Sequence, residues 1–305
     1  MVAPRQLAGT VSDMSATLVL HEIVGPGGLG VTDDQFDEFD VPLGGLDRLS
    51  RVKFERTHLE GAAAEVRLVP AKAELSEADA VRVWEGLGKD SFPIFDRHAM
   101  NFLNLTLTPS GHQQTQESQV GWILASADRT TAVTLYSNLV AVQTAQYDHY
   151  RVSLGEPLAR ALALIVEATG ASVINRIGLR FINRLQDLSA DTPEFWAEHI
   201  QDGFSGPLTG SLARLVEAAH QQTQLRLEEN ATARIISGVF REKEGNRYSF
   251  LVDLDVFREQ AIAYEPQLCA NLTRQLDRTA LSLFSHVVTP AHLDDLGRLA
   301  VEETP

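Results

Sequence analysis

The segment Val173-Ile-Asn-Arg-Ile-Gly-Leu-Arg-Phe-Ile-Asn-Arg-Leu185 decides the fold, because it alternates like a half-buried β-strand. Successive side chains of a strand point to opposite faces, so Ile177, Leu179 and Phe181 are expected on the core face. The other face would carry Arg176, Gly178, Arg180, Ile182 and Arg184. We therefore predict a strand with one apolar side and a row of three guanidinium groups on the other.

A second segment, Phe250-Leu-Val-Asp-Leu-Asp-Val-Phe257, places Asp253 and Asp255 on one face of a predicted strand. These aspartates could form ion pairs with Arg176 and Arg180 across a sheet, which would give the pattern a structural role. Alternatively, the arginines could hold a carboxylate or phosphate ligand, and Gly178 would let it approach closely. A metal site at the two aspartates is a weaker third interpretation.

The flanking sequence predicts further helices and strands. Ser76 is a typical N-cap with an acidic residue three positions later, and a second helix is predicted to start at Ser153-Leu-Gly-Glu156 and to end at Gly170. A shorter helix is expected over 211–220 and a long one over 268–287. Short segments rich in β-branched and aromatic residues predict antiparallel strands, at 63–69, 101–108, 121–127, 131–136, 139–145, 224–227, 231–240 and 247–257.

This order of elements predicts the fold class. A helix, several strands and a long helix occur twice, so we expect an α+β protein with two similar halves, each an antiparallel sheet backed by a long helix. An acidic, glycine-rich N-terminal arm precedes them. The predicted domains are residues 1–51 for the arm, 52–186 for the first half and 187–305 for the second.

The predicted arm holds 7 of the 21 glycines and eight acidic residues. Within it, Thr32-Asp-Asp-Gln-Phe-Asp-Glu-Phe-Asp40 spaces two phenylalanines among carboxylates. Acidic segments of this kind often become ordered on meeting a partner. The candidate partner-binding residues are therefore Phe36, Asp37, Glu38 and Phe39. The alternative is a loop that packs its two phenylalanines on its own domain.

Composition limits the partners and the location of the chain. A formal net charge of −15 over 305 residues opposes a phosphate backbone, so nucleic acid is a disfavoured partner. The lone Cys269 cannot form an internal disulfide and fits a reducing compartment. The sequence shows neither a signal peptide nor an apolar stretch that could span a bilayer. We expect a cytoplasmic protein without membrane contact.

No motif for a cofactor or a metal is complete. Gly25-Pro-Gly27-Gly-Leu-Gly30 matches the dinucleotide pattern G-x-G-x-x-G, but the carboxylates of the next ten residues would lie where a pyrophosphate binds. We interpret this match as accidental. The nine histidines show no metal-binding spacing. The sequence therefore predicts no cofactor, no metal ligand and no assigned catalytic residue.

Four segments carry a resemblance to a known family. They are Arg56-Thr-His-Leu-Glu-Gly-Ala-Ala-Ala-Glu-Val-Arg-Leu68, Phe92-Pro-Ile-Phe95, Arg176-Ile-Gly-Leu-Arg-Phe-Ile-Asn-Arg184 and Leu251-Val-Asp-Leu-Asp-Val256. Together they resemble an uncharacterised, sporadically distributed prokaryotic protein family marked by an R-x-G-L-R-[FY]-x-N-R strand. The resemblance spans roughly residues 52–298, and the acidic arm departs from the usual members. It implies no established activity, but a patchy distribution suggests defence, immunity or toxin-neutralising genes.

Two functions remain open at this level. The first is a non-catalytic binding protein, an adaptor, inhibitor or sensor subunit that acts on a protein partner such as the product of a neighbouring gene. The second is an enzyme or sensor that binds a nucleotide or another small anion on the Arg176, Arg180 and Arg184 face, with Asp253, Asp255 or His149 nearby. We favour the first, and homo-oligomer formation is left open.

Overall fold

The computed structural model describes residues 38–47, 53–54, 58–69, 72, 74–108, 111–243 and 245–299. For residues 53–54, 100–108, 111–118 and 298–299 the description covers the backbone. Phe36, Asp37 and the Gly25–Gly30 motif lie outside the described residues.

Eleven strands are formed within the described ranges. They are β1 (Lys53–Phe54), β2 (Leu59–Val69), β3 (Ile94–Thr108), β4 (Gly111–Ala125), β5 (Thr131–Tyr136), β6 (Leu139–Thr144), β7 (Val173–Leu185), β8 (Ala218–Glu228), β9 (Ala231–Arg241), β10 (Tyr248–Ala263) and β11 (Arg298–Leu299). Nine of them form one sheet in the order β3-β4-β5-β6-β2-β7-β10-β9-β8, while β1 and β11 pair separately. Every neighbouring pair is antiparallel.

Five α-helices accompany the sheet in the described part of the chain. They are α1 (Glu77–Leu87), α2 (Glu156–Thr169), α3 (Asp202–Ser205), α4 (Pro266–Val287) and α5 (Pro290–Asp295). A π-helical turn, Arg151–Gly155, runs directly into α2. Ser76 caps α1 by accepting a hydrogen bond from the Asp79 amide, as its sequence predicts.

Strand β7 is an interior strand of the sheet, because it pairs with β2 on one edge and β10 on the other. Its core face follows the predicted alternation, with Ile177, Leu179 and Phe181 all buried. Leu179 is registered against Ala64 of β2 and Val256 of β10, and none of the three has measurable exposure. The apolar face of the strand is thus covered by buried residues of both neighbouring strands.

The helices cover the apolar face of the sheet. Helix α4 packs against β7 and β10, where Leu281 and Phe284 adjoin Phe181 and Leu254. Helix α2 packs on β6 and β2. The charged residues of β7 and β10 alternate with these buried positions, so they project from the opposite face.

Cys269 belongs to this core, as its apolar position in a predicted helix suggests. The residue is 4% exposed and lies in the first half of α4. Burial raises the pKa of its thiol to about 11, so the neutral form prevails at physiological pH. Such a thiol acts as a small apolar group.

The α+β class is confirmed, and the sheet joins strands from both predicted halves. Strand β7 precedes residue 186 and β10 follows residue 187, and the two are hydrogen-bonded neighbours. The similarity of the halves and the domain boundaries stay predictions. The helix expected over 211–220 is wrong, because only Ala213–Leu215 forms a 3-10 turn and β8 begins at Ala218, paired with β9.

Gly238 of β9 offers a direct test of the packing between β8 and β9. A Cβ at this position would lie 2.2 Å from the Ala219 carbonyl oxygen and 2.8 Å from the Cα of His220, so backbone atoms would have to move. We expect Gly238→Ala to lower the free energy of unfolding by about 1–3 kcal/mol. Chemical denaturation measures this loss.

Gly203 supplies the matched control, since a Cβ there would have no neighbour within 4 Å. Gly203 lies in α3, where alanine is the better helix former. Gly203→Ala should therefore leave stability unchanged or slightly higher. Equal losses in the two variants would contradict the packing described for β8 and β9.

Candidate functional site

The arginine row predicted on β7 is confirmed as a surface of the sheet that faces away from the apolar core. Arg176, Arg180 and Arg184 alternate with buried residues along the strand. Each is held by carboxylates from neighbouring strands or from the segment after β9. We use the name arginine ladder for these arginines together with Arg234 and the acidic residues Glu60, Glu65, Glu242, Asp253 and Asp255.

Arg180 and Asp253 form the best-defined pair of the arginine ladder. Arg180 donates from Nε to Oδ1 at 2.8 Å and from Nη2 to Oδ2 at 2.6 Å. Asp253 is registered opposite Ile182, so it reaches Arg180 along the diagonal between β7 and β10. Its carboxylate is 7% exposed, whereas the Arg180 side chain is 39% exposed. The hydrogen bonds to Asp253 raise the pKa of Arg180, which stays fully charged.

Arg176 bridges β2 and β10. It donates to Glu65 Oε1 at 2.7 Å and lies 3.3 Å from Asp255 Oδ1. The guanidinium carbon is 4.5 Å from the centre of the Phe257 ring, a cation–π arrangement. A Cβ on Gly178 would lie 2.8 Å from Arg176 Nη1. The Arg176 guanidinium therefore occupies the space that is left by the missing side chain of Gly178.

Arg184 is the last arginine of the row on β7. It donates to Glu60 Oε1 and, from Nε, to Glu242 Oε1, each at 3.0 Å, and its Nη2 contacts the second oxygen of Glu242. Ser249 also donates to Glu242. Burial would raise the pKa of Glu242, but the hydrogen bonds from Arg184 and Ser249 outweigh it and lower the pKa overall.

Asp255 has a different electrostatic balance. It lies between Arg180 and Arg234 in the register of three adjacent strands, with Arg234 Nη1 at 3.7 Å. Burial raises its pKa, and the nearby charges of Arg176 and Arg234 only partly oppose this effect. The carboxylate at this position is thus held in an environment that disfavours its charge.

These contacts match the structural interpretation of the predicted residues. The aspartates pair with Arg176 and Arg180, as the ion-pair interpretation describes. Asp253 occupies the Nε–Nη2 edge of Arg180, so an anion using that edge would have to displace it. Among the described residues, no group of three or more His, Cys, Asp and Glu side chains is placed to hold a metal ion.

Sequence reasoning missed four members of the arginine ladder, namely Glu60, Glu65, Arg234 and Glu242. Two of them carried a signal. Glu65 and Arg234 alternate with buried residues in β2 and β9, and this alternation places a charge on the face away from the core. Glu242 follows the end of β9, where strand periodicity gives no information.

Of the three residues suggested near the arginine face, Asp253 and Asp255 lie there but His149 does not. It lies in a cleft of about 670 Å³ between the Arg151–Gly155 turn, α2 and α4. Tyr147, Tyr150, Arg274 and Arg278 share this cleft. Since α4 packs on the apolar face of the sheet, the cleft lies on the side opposite to the arginine ladder.

Two of the partner-binding candidates, Glu38 and Phe39, form part of a 3-10 turn against α4. Phe39 packs on the hydrophobic core, as the alternative for the predicted arm describes. Gln275 of α4 donates to the backbone oxygens of Glu38 and Val41, at 3.4 and 3.1 Å. These contacts attach residues 38–41 to α4.

No protein-family model, curated protein or solved structure matches this chain. The resemblance built on Arg176–Arg184 therefore stays a prediction. Of the helices in the described ranges, none combines the length and the apolar character that crossing a membrane requires.

The Arg180–Asp253 pair predicts an asymmetric mutational response. Arg180→Met keeps the aliphatic stem but leaves a carboxylate that is 7% exposed without its partner. We expect a loss of about 1–3 kcal/mol in the free energy of unfolding, less than for a fully buried pair because Arg180 is partly solvated. Arg180→Met/Asp253→Leu should recover stability, since the buried charge is removed. Chemical denaturation of both variants tests this.

Arg151→Met is the control for this comparison. Arg151 pairs with Glu156 at 2.7 Å, but the two side chains are 79% and 59% exposed. Its removal should change stability by no more than about 0.5 kcal/mol. If Arg180→Met/Asp253→Leu is less stable than Arg180→Met, the unpaired Asp253 carboxylate is not the origin of the loss.

Asp255→Asn should have a pH-dependent effect of opposite sign. A carboxyl group whose pKa is raised on folding destabilises the fold at pH values above that pKa, and the effect vanishes as the pH falls through it. Asp255→Asn should therefore melt at the wild-type temperature or higher at pH 7. The difference in melting temperature between Asp255→Asn and wild type should shrink towards pH 4. A melting temperature several degrees below wild type at pH 7 would contradict this electrostatic balance.

Proposed function

We propose that this protein is a non-catalytic binding protein, an adaptor, inhibitor or sensor subunit, that docks a protein partner on the arginine ladder. The observation that carries the proposal is the arrangement of charge at Arg180 and Arg234. Their side chains are 39% and 42% exposed, while Asp253 and Asp255 between them are 7% and 19% exposed. At these two arginines the guanidinium groups are therefore turned outward and the aspartates between them inward.

The hydrogen bonds of Arg180 support this role. Asp253 accepts from Nε and Nη2, so the Nη1 donors of Arg180 are not used in this pair. Arg234 Nη1 lies 3.7 Å from Asp255 Oδ2, longer than a direct hydrogen bond. The two arginines lie on β7 and β9, and β10 runs between these strands, so their backbones are separated by about 10 Å. Two acidic side chains of one partner surface could engage both.

Preorganisation gives this surface a further advantage in binding. Arginine and aromatic side chains dominate the energetics of protein interfaces. Here Arg176 lies over Phe257 and Arg184 lies 5.4 Å from the Phe240 ring centre, and both are also held by carboxylates. Side chains already fixed in the free protein lose little entropy on association.

The charge of the chain specifies the partner further. With a formal net charge of −15, this protein repels a strongly acidic molecule at long range. The partner we propose is therefore neutral or basic overall, with acidic side chains at its docking surface. The family resemblance suggests a setting in bacterial defence or toxin neutralisation, and it makes the product of a neighbouring gene the first candidate.

The alternative function, binding of a nucleotide or another small anion on the Arg176, Arg180 and Arg184 face, has less support from the geometry. Each of these arginines already holds at least one carboxylate at 3.3 Å or less. A ligand would have to compete with these intramolecular partners. A protein surface can instead add contacts to the exposed edges of the guanidinium groups.

The test is native co-purification followed by affinity measurement with defined variants. A protein that co-elutes from the host should bind the purified chain. Arg234→Met should weaken its affinity at least tenfold, about 1.4 kcal/mol, because a charged contact is lost at the interface. Arg160→Met, an exposed change on α2, is the matched control and should leave affinity unchanged.

Two outcomes would overturn the proposal. If no protein co-elutes under native conditions, the binding function itself fails. If a partner binds wild type, Arg234→Met and Arg160→Met with equal affinity, the arginine ladder is not the docking surface. Melting temperatures of the variants separate a lost contact from a lost fold.

A further inference from the structure

The described sheet ends on one side at β8, which is paired along one edge. Its register with β9 is regular from the pair of Ala218 with Phe240 to the pair of Arg226 with Thr232. In the part of the chain that the structure describes, no backbone hydrogen bond joins β8 to a strand other than β9. About half of the amide and carbonyl groups of residues 218–226 therefore point away from the sheet.

The sequence of this edge lacks the features that usually prevent edge pairing. Edge strands of natural proteins are protected by lysine, proline, charged side chains or bulges. Residues 218–225, Ala-Ala-His-Gln-Gln-Thr-Gln-Leu, contain no Asp, Glu, Lys, Arg or Pro. The register shift of the β8–β9 pair falls after Arg226, at the end of the strand. The regular part of β8 is thus suited to accept a further strand.

Two exposed leucines lie next to this edge. Leu212 and Leu215 are 67% and 69% exposed, and they flank a 3-10 turn that ends three positions before β8. Apolar side chains that stay exposed together are typical of surfaces that bind another protein. They extend the uncharged edge of β8 by a small apolar area.

Charge favours a second copy of this chain as the occupant. Two chains that each carry a net charge of −15 repel one another, so they can associate best through a surface with few charges. A two-fold axis at Gln222 pairs the edge with itself in antiparallel fashion. Gln222 then faces its own counterpart, His220 faces Gln224, and Arg226 faces Ala218. No like charges lie opposite one another in this register.

From these observations we infer that the chain forms a two-fold symmetric homodimer, in which the β8 strands of two copies pair antiparallel. Pairing over residues 218–226 forms about eight to ten backbone hydrogen bonds and joins the two nine-stranded sheets. Leu212 and Leu215 of each copy lie near the end of the other copy's β8. The assembly closes at two copies, because each copy has then used its β8 edge.

The dimer has a consequence for the arginine ladder. Gln224 of β8 is registered against Arg234 of β9, so the two side chains share a face of the sheet. A two-fold axis perpendicular to the sheet places the arginine ladders of both copies on one continuous face. The dimer does not depend on the docking function proposed above, since a monomer could dock a partner as well.

Analytical ultracentrifugation of the full chain tests the dimer. Between about 1 and 100 µM we expect wild type to approach twice the chain mass of 33.5 kDa, because association follows mass action. Gln222→Lys/Gln224→Lys changes two exposed side chains and places like charges across the two-fold axis. Its dimer dissociation constant should rise at least tenfold. Gln146→Lys/Gln267→Lys adds the same charge at exposed positions outside β8 and should associate as wild type.

A second pair of variants tests the apolar part of the interface. Leu215→Ser should weaken the dimer about fivefold or more, because an apolar contact is lost. Leu188→Ser is the matched control, since Leu188 is 79% exposed and follows β7, three strands away from β8. Melting temperatures at low concentration show whether each variant keeps the fold.

Three outcomes would overturn the inference. The first is a wild-type chain that stays monomeric at about 100 µM, as it would if the chain's own N-terminal residues covered the β8 edge. The second is an assembly that grows beyond two copies. The third is a dimer that Gln222→Lys/Gln224→Lys leaves as stable as wild type.

Discussion

The hydrogen-bonded pairing of β7 with β10 is the interaction on which the rest of the structure depends. It joins strands from before residue 186 to strands from after residue 187, and it brings Asp253 to Arg180. The same register buries Leu254 against Phe181 on the other face, where α4 packs. A shift by one residue would exchange the faces, placing carboxylates in the apolar core and leucines among the arginines. The apolar core and the arginine ladder therefore specify the same register.

Local periodicity accounts for the features that could be predicted. The alternation in β7 and β10 predicted the strands and the charged face of each, because these follow from side-chain direction alone. The pairing of the arginines with the aspartates was one of three interpretations of that face. Glu60 and Glu242 could not be placed beside Arg184, since that contact needs the pairing of distant strands. The helix expected over 211–220 relied on apolar residues such as Leu212 and Leu215, which are 67% and 69% exposed and have no core to cover.

Sequence patterns could not predict the cleft, for a related reason. Ser153 resembles a helix cap, but its hydroxyl accepts from the Asp148 amide, and the residue lies within the π-helical turn that precedes α2. This turn faces a helix more than a hundred positions later, as the contact between Tyr150 and Thr273 shows. The two faces of the sheet thus differ: one carries the ion pairs of the arginine ladder, and the other carries the helices and the cleft between them.

The position of β7 between β2 and β10 has a consequence for how the chain folds. Its pairing with β2 joins Arg176 to Glu65 across 111 positions, and distant pairings of this kind slow folding. During synthesis, β7 emerges before β10 and has an open edge until β10 follows. Nascent chains in this interval expose an apolar strand edge, which is the substrate that chaperones recognise and the site where misassembly begins. Efficient production of this protein therefore depends on how quickly its last third is translated.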